Sequence, residues 1–270
     1  DFIVTAEDLG AVAIFWGGSK RSWEGTLTGA DQLWLGESSG ALAGESLGAV
    51  GDWTGDGRVE VIIGAPGEGS GAGRVYMAFG SEDAGVKYLQ DADVQILGEA
   101  AGDGLGLALS GAGDLNSDGY RDLAIGAPGA EDQAGRVYVF LGKPSGLAAQ
   151  ISAGRADGAL SGISAGEAFG TGLAMVSGAA GGDLWVSSPG EARLSLFSGD
   201  VALSGESRED AEASLLGAEG SGLGRKVAAT GIMGSSGRGV IIAGAPSQLV
   251  GEDETSGRDG AGAALLIGGP

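Results

Sequence analysis

Apolar residues in this chain of 270 come in short runs of about four to seven, each closed by Gly, Asp, Ser or Pro. A helix would need ten or more residues of 3.6 periodicity between such breakers, so the runs predict strands. They also recur in four families. One comprises VEVIIGAP (59–66), RDLAIGAP (121–128), GDLWVSSP (182–189) and RGVIIAGAP (238–246). The prolines that end it, Pro66, Pro128, Pro189 and Pro246, lie 62, 61 and 57 residues apart. After each comes a second run: GRVYMAFG (73–80), GRVYVFLG (135–142), EARLSLFSG (191–199) and GAALLIGG (262–269). A third family holds DQLWLGE (31–37), DVQILGE (93–99), DGALSGI (157–163) and EASLLGA (212–218). The fourth precedes the Pro-ended runs: SLGAVGD (46–52), GLALSGAGD (106–114), FGTGLAMVSG (169–178) and GRKVAATG (224–231).

DFIVTA and GAVAIFWG at the N-terminal end fit the first two families, so five copies are expected, near 1–44, 45–103, 104–167, 168–221 and 222–270. The first and last are incomplete. Four short antiparallel strands at a period near sixty describe blades of an all-β propeller, in one domain over 1–270 with little or no helix. The first copy supplies strands two to four and the last supplies strands one to three. These overlap rather than complement each other, so an incomplete or assembly-completed propeller is expected.

Composition narrows the chemistry. Lys and Arg number 15 against 36 Asp and Glu, a net charge of −21, with no His and no Cys. Disulfides, thiolate zinc sites, thiol nucleophiles and imidazole catalysis are thereby excluded. The charge opposes nucleic-acid and anionic-membrane binding, and no apolar run is long enough to span a bilayer, so no membrane insertion is expected. Few of the basic residues are Lys, and the acidity could also mark adaptation to salt. The N-terminal end shows no signal-peptide pattern, which suggests a processed product or a piece of something longer. Glycine, at 58 residues, lacks the three-residue period of collagen and suits tight turns and crowded inner strands.

Two acidic turns stand between the first and second strands of their copies. One is Asp114-Leu115-Asn116-Ser117-Asp118-Gly119-Tyr120-Arg121-Asp122, and the other is Asp52-Trp53-Thr54-Gly55-Asp56-Gly57-Arg58-Val59-Glu60. Oxygen side chains fall at positions 1, 3, 5 and 9: Asp114, Asn116, Asp118 and Asp122, and Asp52, Thr54, Asp56 and Glu60. Gly at position 6 permits the bend, and the position 7 carbonyls of Tyr120 and Arg58 can add a ligand. Six or seven hard oxygens at about 2.3–2.6 Å form a Ca²⁺ sphere, so two Ca²⁺ sites are expected. An EF-hand would need Glu at position 12, where Ile63 and Ile125 stand, and flanking helices. The fourth copy retains only Asp183, the fifth retains no carboxylate, and Asp1 occupies position 9 of a loop whose earlier members would precede residue 1.

These features together resemble FG-GAP repeats, as in the propeller of integrin α subunits and many bacterial surface proteins. The resemblance rests on Phe169-Gly170, Gly-Ala-Pro at 64–66, 126–128 and 244–246, the 114–122 loop and the GRVYVF-type strand. It covers essentially the whole chain, with departures. Leu47, Leu105 and Leu223 stand for Phe, 187–189 reads Ser-Ser-Pro, and five copies stand against the seven blades of integrin-like propellers. The resemblance implies a non-catalytic, calcium-binding adhesion, recognition or structural module, extracellular, cell-surface or periplasmic. Its partner would be a protein or glycan on the face opposite the metal loops. On that face the loop Ser247–Gly260 offers Glu252, Asp253 and Glu254 to a basic partner, or is simply a solvated loop. An architectural segment of a filament or of a larger multi-chain or multi-domain surface assembly is the alternative, and a glycan-active enzyme using paired carboxylates is a third. Trp16, Trp23, Trp34, Trp53 and Trp185 are expected to pack between blades.

Overall fold

The computed structural model describes residues 2–6, 10–16, 29–37, 39–111, 113–143, 148–178, 181–232, 239–246 and 263–268. Their apolar runs form antiparallel sheets of adjacent strands. The first holds β1 (Phe2–Ala6), β2 (Ala11–Phe15) and β3 (Gln32–Leu35). The second runs through β4 (Ser46–Gly51), β5 (Glu60–Ala65) and β6 (Arg74–Ala78). From there the chain makes a short strand, β7 (Gly85–Tyr88), before returning as the outer strand β8 (Val94–Leu97). The third repeats this path with β9 (Ala108–Ser110), β10 (Leu123–Ala127), β11 (Arg136–Phe140), the extra strand β12 (Gln150–Ser152) and outer β13 (Gly158–Ser161).

The fourth comprises β14 (Leu173–Gly178), β15 (Gly181–Ser188), β16 (Arg193–Ser198) and β17 (Ala213–Leu216). The fifth has β18 (Val227–Ile232), β19 (Gly239–Ala245) and β20 (Ala263–Gly268). These are blades of an all-β propeller. No strand pairing joins the first sheet to the last among the described residues, so the sheets do not close a ring.

The extra strands are not legible as apolar runs. β7 pairs in parallel with β3 of the preceding blade, and β12 pairs in parallel with β8. Each covers the outer edge of its neighbour, which removes an exposed ladder that could pair with another chain. In the fourth blade a six-residue helix, Gly199–Ser204, occupies that place, with a single parallel bridge from Ser207 to Ser161 of β13. This short helix is in keeping with the little helix expected of such blades.

The core lies between blades. Adjacent residues of one strand serve opposite interfaces. Ile62 packs toward Leu123, Ile125 and Phe140 of the third blade, whereas Ile63 and Ala65 pack toward Val12, Ile14 and Trp34 of the first. Both faces of such a strand are buried, so it reads as a continuous apolar run rather than an alternation. Trp16, Trp34, Trp53 and Trp185 all take part in these inter-blade clusters. Trp23 lies outside the described residues.

The glycines of the repeat signature set the entry of each inner strand against the second strand of its own blade. Gly44, Gly106, Gly170 and Gly224 have φ of 92, 89, 88 and 83°, a left-handed conformation that a side chain disfavours. Their amides bond Gly64, Gly126, Ser187 and Gly244 oxygens at 2.8, 2.9, 2.9 and 2.8 Å. This register places Ala43, not Leu47, at the Phe position of the second copy. Leu47 is instead within β4. Phe169 itself is fully buried and meets Phe197 edge-on at 6.0 Å.

The Gly of the first two Gly-Ala-Pro triplets faces the next blade's signature glycine: a Cβ on Gly64 would collide with the Gly106 carbonyl, and one on Gly126 with that of Gly170. In the fourth blade Ser187 replaces that Gly, and the inner strand opposite gives way to Gly172, where the second and third blades have Ser46 and Ala108. Gly126→Ala is therefore expected to destabilise by the upper end of the roughly 1–3 kcal/mol typical of overpacking, because its obstacle is backbone. Urea unfolding measures this.

Candidate metal centres

Each candidate metal loop is a chain of backbone amides folded around carboxylates. In the 52–60 loop, Asp52 Oδ1 accepts from Gly55 N at 2.7 Å and its Oδ2 from Gly57 N at 2.9 Å. Asp56 Oδ1 accepts from Arg58 N at 2.9 Å, which fixes the peptide at position 7. The Arg58 side chain bonds the Gly80 carbonyl at 3.1 Å, tying the loop to the end of β6. Glu60, at the start of β5, is fully buried. Its Oε2 accepts from Trp53 N at 2.5 Å and its Oε1 from Thr54 Oγ1 at 3.3 Å.

The 114–122 loop repeats this wiring. Asp114 accepts from Asp118 N at 3.1 Å and Gly119 N at 3.0 Å, and Asp118 Oδ1 from Tyr120 N at 2.9 Å. Asn116 donates to Asp118 Oδ2 at 2.9 Å. Buried Asp122 accepts from Leu115 N at 2.6 Å and Gly142 N at 3.0 Å. Gly57 and Gly119 at position 6 have φ of 87 and 91°, the bend that these loops require.

One oxygen from each of Asp52, Asp56 and Glu60 lies within 4.8 Å of the others. Ligands of a single ion at about 2.3–2.6 Å can be separated by at most about 5 Å, so this triad fits one hard cation. Among the described residues no other group of three acids is so close. In the 114–122 loop the Asp122 carboxylate is spread between Leu115 and Gly142. The sequence, by contrast, makes that loop the more complete donor set. Burial raises the pKa of both Glu60 and Asp122. The amide bonds partly offset this, and the neighbouring Asp56, or Asp118 and Asp114, adds to it. Holding such groups ionised is costly unless a cation compensates.

Position 2 anchors each loop, as expected of Trp53 from its sequence; for Leu115 the sequence carried no such signal. Trp53 is fully buried in the cluster between the second and third blades, and Leu115 in that between the third and fourth. Their backbone amides hold the position 9 carboxylates while their side chains anchor the loops in the core. The two loops also touch: a Cβ on Gly55 would stand 3.7 Å from the Tyr120 ring, and one on Gly51 would stand 2.9 Å from the Arg121 side chain.

Elsewhere, Asp183 stands on β15, its pKa raised by burial and then by Glu212. Asp1 and the acidic trio Glu252, Asp253 and Glu254 lie outside the described residues.

Residues 43–76 and 106–140 match the FG-GAP repeat family. Each match runs from the signature glycine, through an acidic loop, into the third strand. The chain is similar to integrin α-5 of Xenopus laevis, 46% identical over 48 residues, which is 17% of this chain and 5% of that protein. It is similar to integrin α-PS3 of Drosophila melanogaster, 51% identical over 47 residues, 17% of this chain and 4% of the relative. A longer alignment, 30% identical over 124 residues, joins 43% of this chain to 12% of integrin α-IIb of Mus musculus. The matched part is thus a small fraction of each relative's length. Residues 43–76 and 106–140 are FG-GAP repeats, similar to those of integrin α chains, and stand in blades of a propeller whose sheets do not close among the described residues.

Proposed function

We propose that this chain is a Ca²⁺-stabilised, non-catalytic recognition module of an extracellular or cell-surface protein. The convergence of Asp52, Asp56 and Glu60 inside a family-matched repeat carries the reading. The donors are all oxygen, as a hard cation prefers, and the chain has neither His nor Cys for softer metals. Asp52, Thr54, Asp56 and Glu60, with the Arg58 carbonyl, would hold one ion. Asp114, Asn116, Asp118 and Asp122, with the Tyr120 carbonyl, would hold the second, with Asp122 turning a lone pair inward. Integrin α FG-GAP propellers bind divalent cations and are not enzymes in general, which supports both halves of the reading.

An extracellular setting agrees with loops of this class, whose affinities near 10⁻⁴–10⁻³ M only a Ca²⁺-rich exterior saturates. No helix among the described residues is long and apolar enough to cross a membrane. The partner, a protein or glycan, would bind the ends of the strands remote from the metal loops. Calorimetric titration tests the metal assignment: two Ca²⁺ per chain are expected, with Asp56→Ala and Asp118→Ala each removing one. Zero stoichiometry would overturn it.

One observation favours an architectural role. The outer strand β17 has no strand laid along it among the described residues, and Leu216 on it is 60% exposed, whereas β3 and β8 are covered. Size-exclusion chromatography separates the readings, since an open edge used for assembly gives multimers and a free module gives monomers.

A further inference from the structure

Each of Gly44, Gly106, Gly170 and Gly224 is followed by a residue at an equivalent place, one step before its inner strand pairs: Glu45, Leu107, Thr171 and Arg225. These four residues, from four successive blades, line one cavity of about 450 Å³ together with Lys226. The cavity therefore sits where the inner strands converge, at the ends opposite the metal loops. Where the fold dictates the residue, all four copies carry Gly. One position later they carry a carboxylate, an isobutyl group, a hydroxyl and a guanidinium. Divergence at a shared, cavity-facing position is what selective binding needs and what packing alone does not.

We propose that this axial cavity binds an isolated carboxylate on a short aliphatic stem, the acidic side chain of a peptide partner. The proposal deepens the recognition reading above and rests on it. Arg225 and Lys226 are adjacent, exposed cations in a chain of net charge −21, and neither head group forms an ion pair with another described residue. A guanidinium presents two parallel donors to a carboxylate, and an adjacent ammonium adds a third contact.

The walls suit the stem. Leu107, Ala168 and Pro189 are apolar, and the volume falls in the range of small-ligand sites, about 300–1,000 Å³. Thr171 Oγ1 donates to the Ala168 carbonyl at 2.7 Å, which leaves its lone pairs to accept from the ligand's backbone amide. Glu45 limits the charge admitted: a second carboxylate beside the first would meet it, so polyanions are rejected and a single acid flanked by neutral residues is preferred.

The test uses a capped pentapeptide with one central Glu among Ala and Gly, titrated calorimetrically into the full chain in Ca²⁺, with its Gln counterpart as control. The Glu peptide should bind and the Gln peptide should bind at least tenfold more weakly. Arg225→Gln should weaken the Glu peptide about 10-fold or more, the scale of a charged hydrogen bond. Lys226→Gln should weaken it less, and Glu45→Gln should tighten it. Unchanged Ca²⁺ stoichiometry and melting in these variants show that they fold. Equal binding of the two peptides, indifference to Arg225→Gln, or no binding at millimolar peptide overturns the proposal while leaving the metal reading intact. Peptide binding without Ca²⁺ uptake would sink only the metal reading.

Discussion

Excess chelator is expected to lower the melting temperature of this protein by roughly 5–10 °C for each acidic loop that Ca²⁺ saturates. An ion at about 100 times its dissociation constant stabilises by about 2.7 kcal/mol, and each kcal/mol moves the melt of a domain this large by roughly 2–4 °C. The effect should be large here because the apo loops confine like charges: Glu60 and Asp122 are buried, and each has acidic neighbours. Their pKa values are raised in the folded state above the unfolded values. Without metal, the cost of keeping them ionised is therefore present above the folded pKa and is relieved as pH falls through it. Protons then compete with Ca²⁺, so the gap between the Ca²⁺ and chelator melts should close as pH drops from neutral through the carboxylate range. Differential scanning calorimetry at neutral and acidic pH reads both effects. A melt indifferent to chelator at neutral pH, or a gap that widens in acid, would falsify the assignment.

Trp53→Ala is expected to cost about 3–5 kcal/mol, the range for removing a large buried aromatic. Trp53 is fully buried among Ile62, Met77, Leu123 and Phe140, so its loss leaves a void at the interface of two blades. It also frees the loop whose amide holds Glu60, so Ca²⁺ binding at 52–60 should weaken while that at 114–122 persists. Trp53→Phe separates packing from polarity. The Trp53 indole nitrogen has no hydrogen-bond partner, so Phe keeps most of the packing, removes an unsatisfied donor and should cost less than about 1.5 kcal/mol. Chemical denaturation of the two variants decides. If alanine and phenylalanine cost the same, the anchor role is wrong.

The loops were legible because their ligands are local. Asp52, Asp56 and Glu60 fall within nine residues, and the glycine between them marks the bend. That Trp53 packs between blades was legible from its type, but its partners Leu123 and Phe140 were not, because the chain completes the second blade before it reaches them. The same distinction explains Leu47 and Ala43. Linear spacing offered a leucine, but the amide of Gly44 bonds Gly64, and that pairing alone sets which residue precedes the signature glycine.

The sequence by itself determined the blades, since each strand is a short apolar run between breakers and its period repeats down the chain. It also determined the oxygen-only chemistry, through the absence of His and Cys. Only the tertiary structure decided the rest. β7 and β12 are strands because the outer edges of β3 and β8 wait for them, not because of apolar character: most of their residues are exposed. The two acidic loops differ in how far their acids converge, because the third-strand end beside Asp122 offers the Gly142 amide to its carboxylate. And Glu45, Leu107, Thr171 and Arg225, some sixty residues apart in sequence, share one cavity because four inner strands begin around it. Local pattern sets which elements form, whereas the packing of blades sets which distant side chains meet.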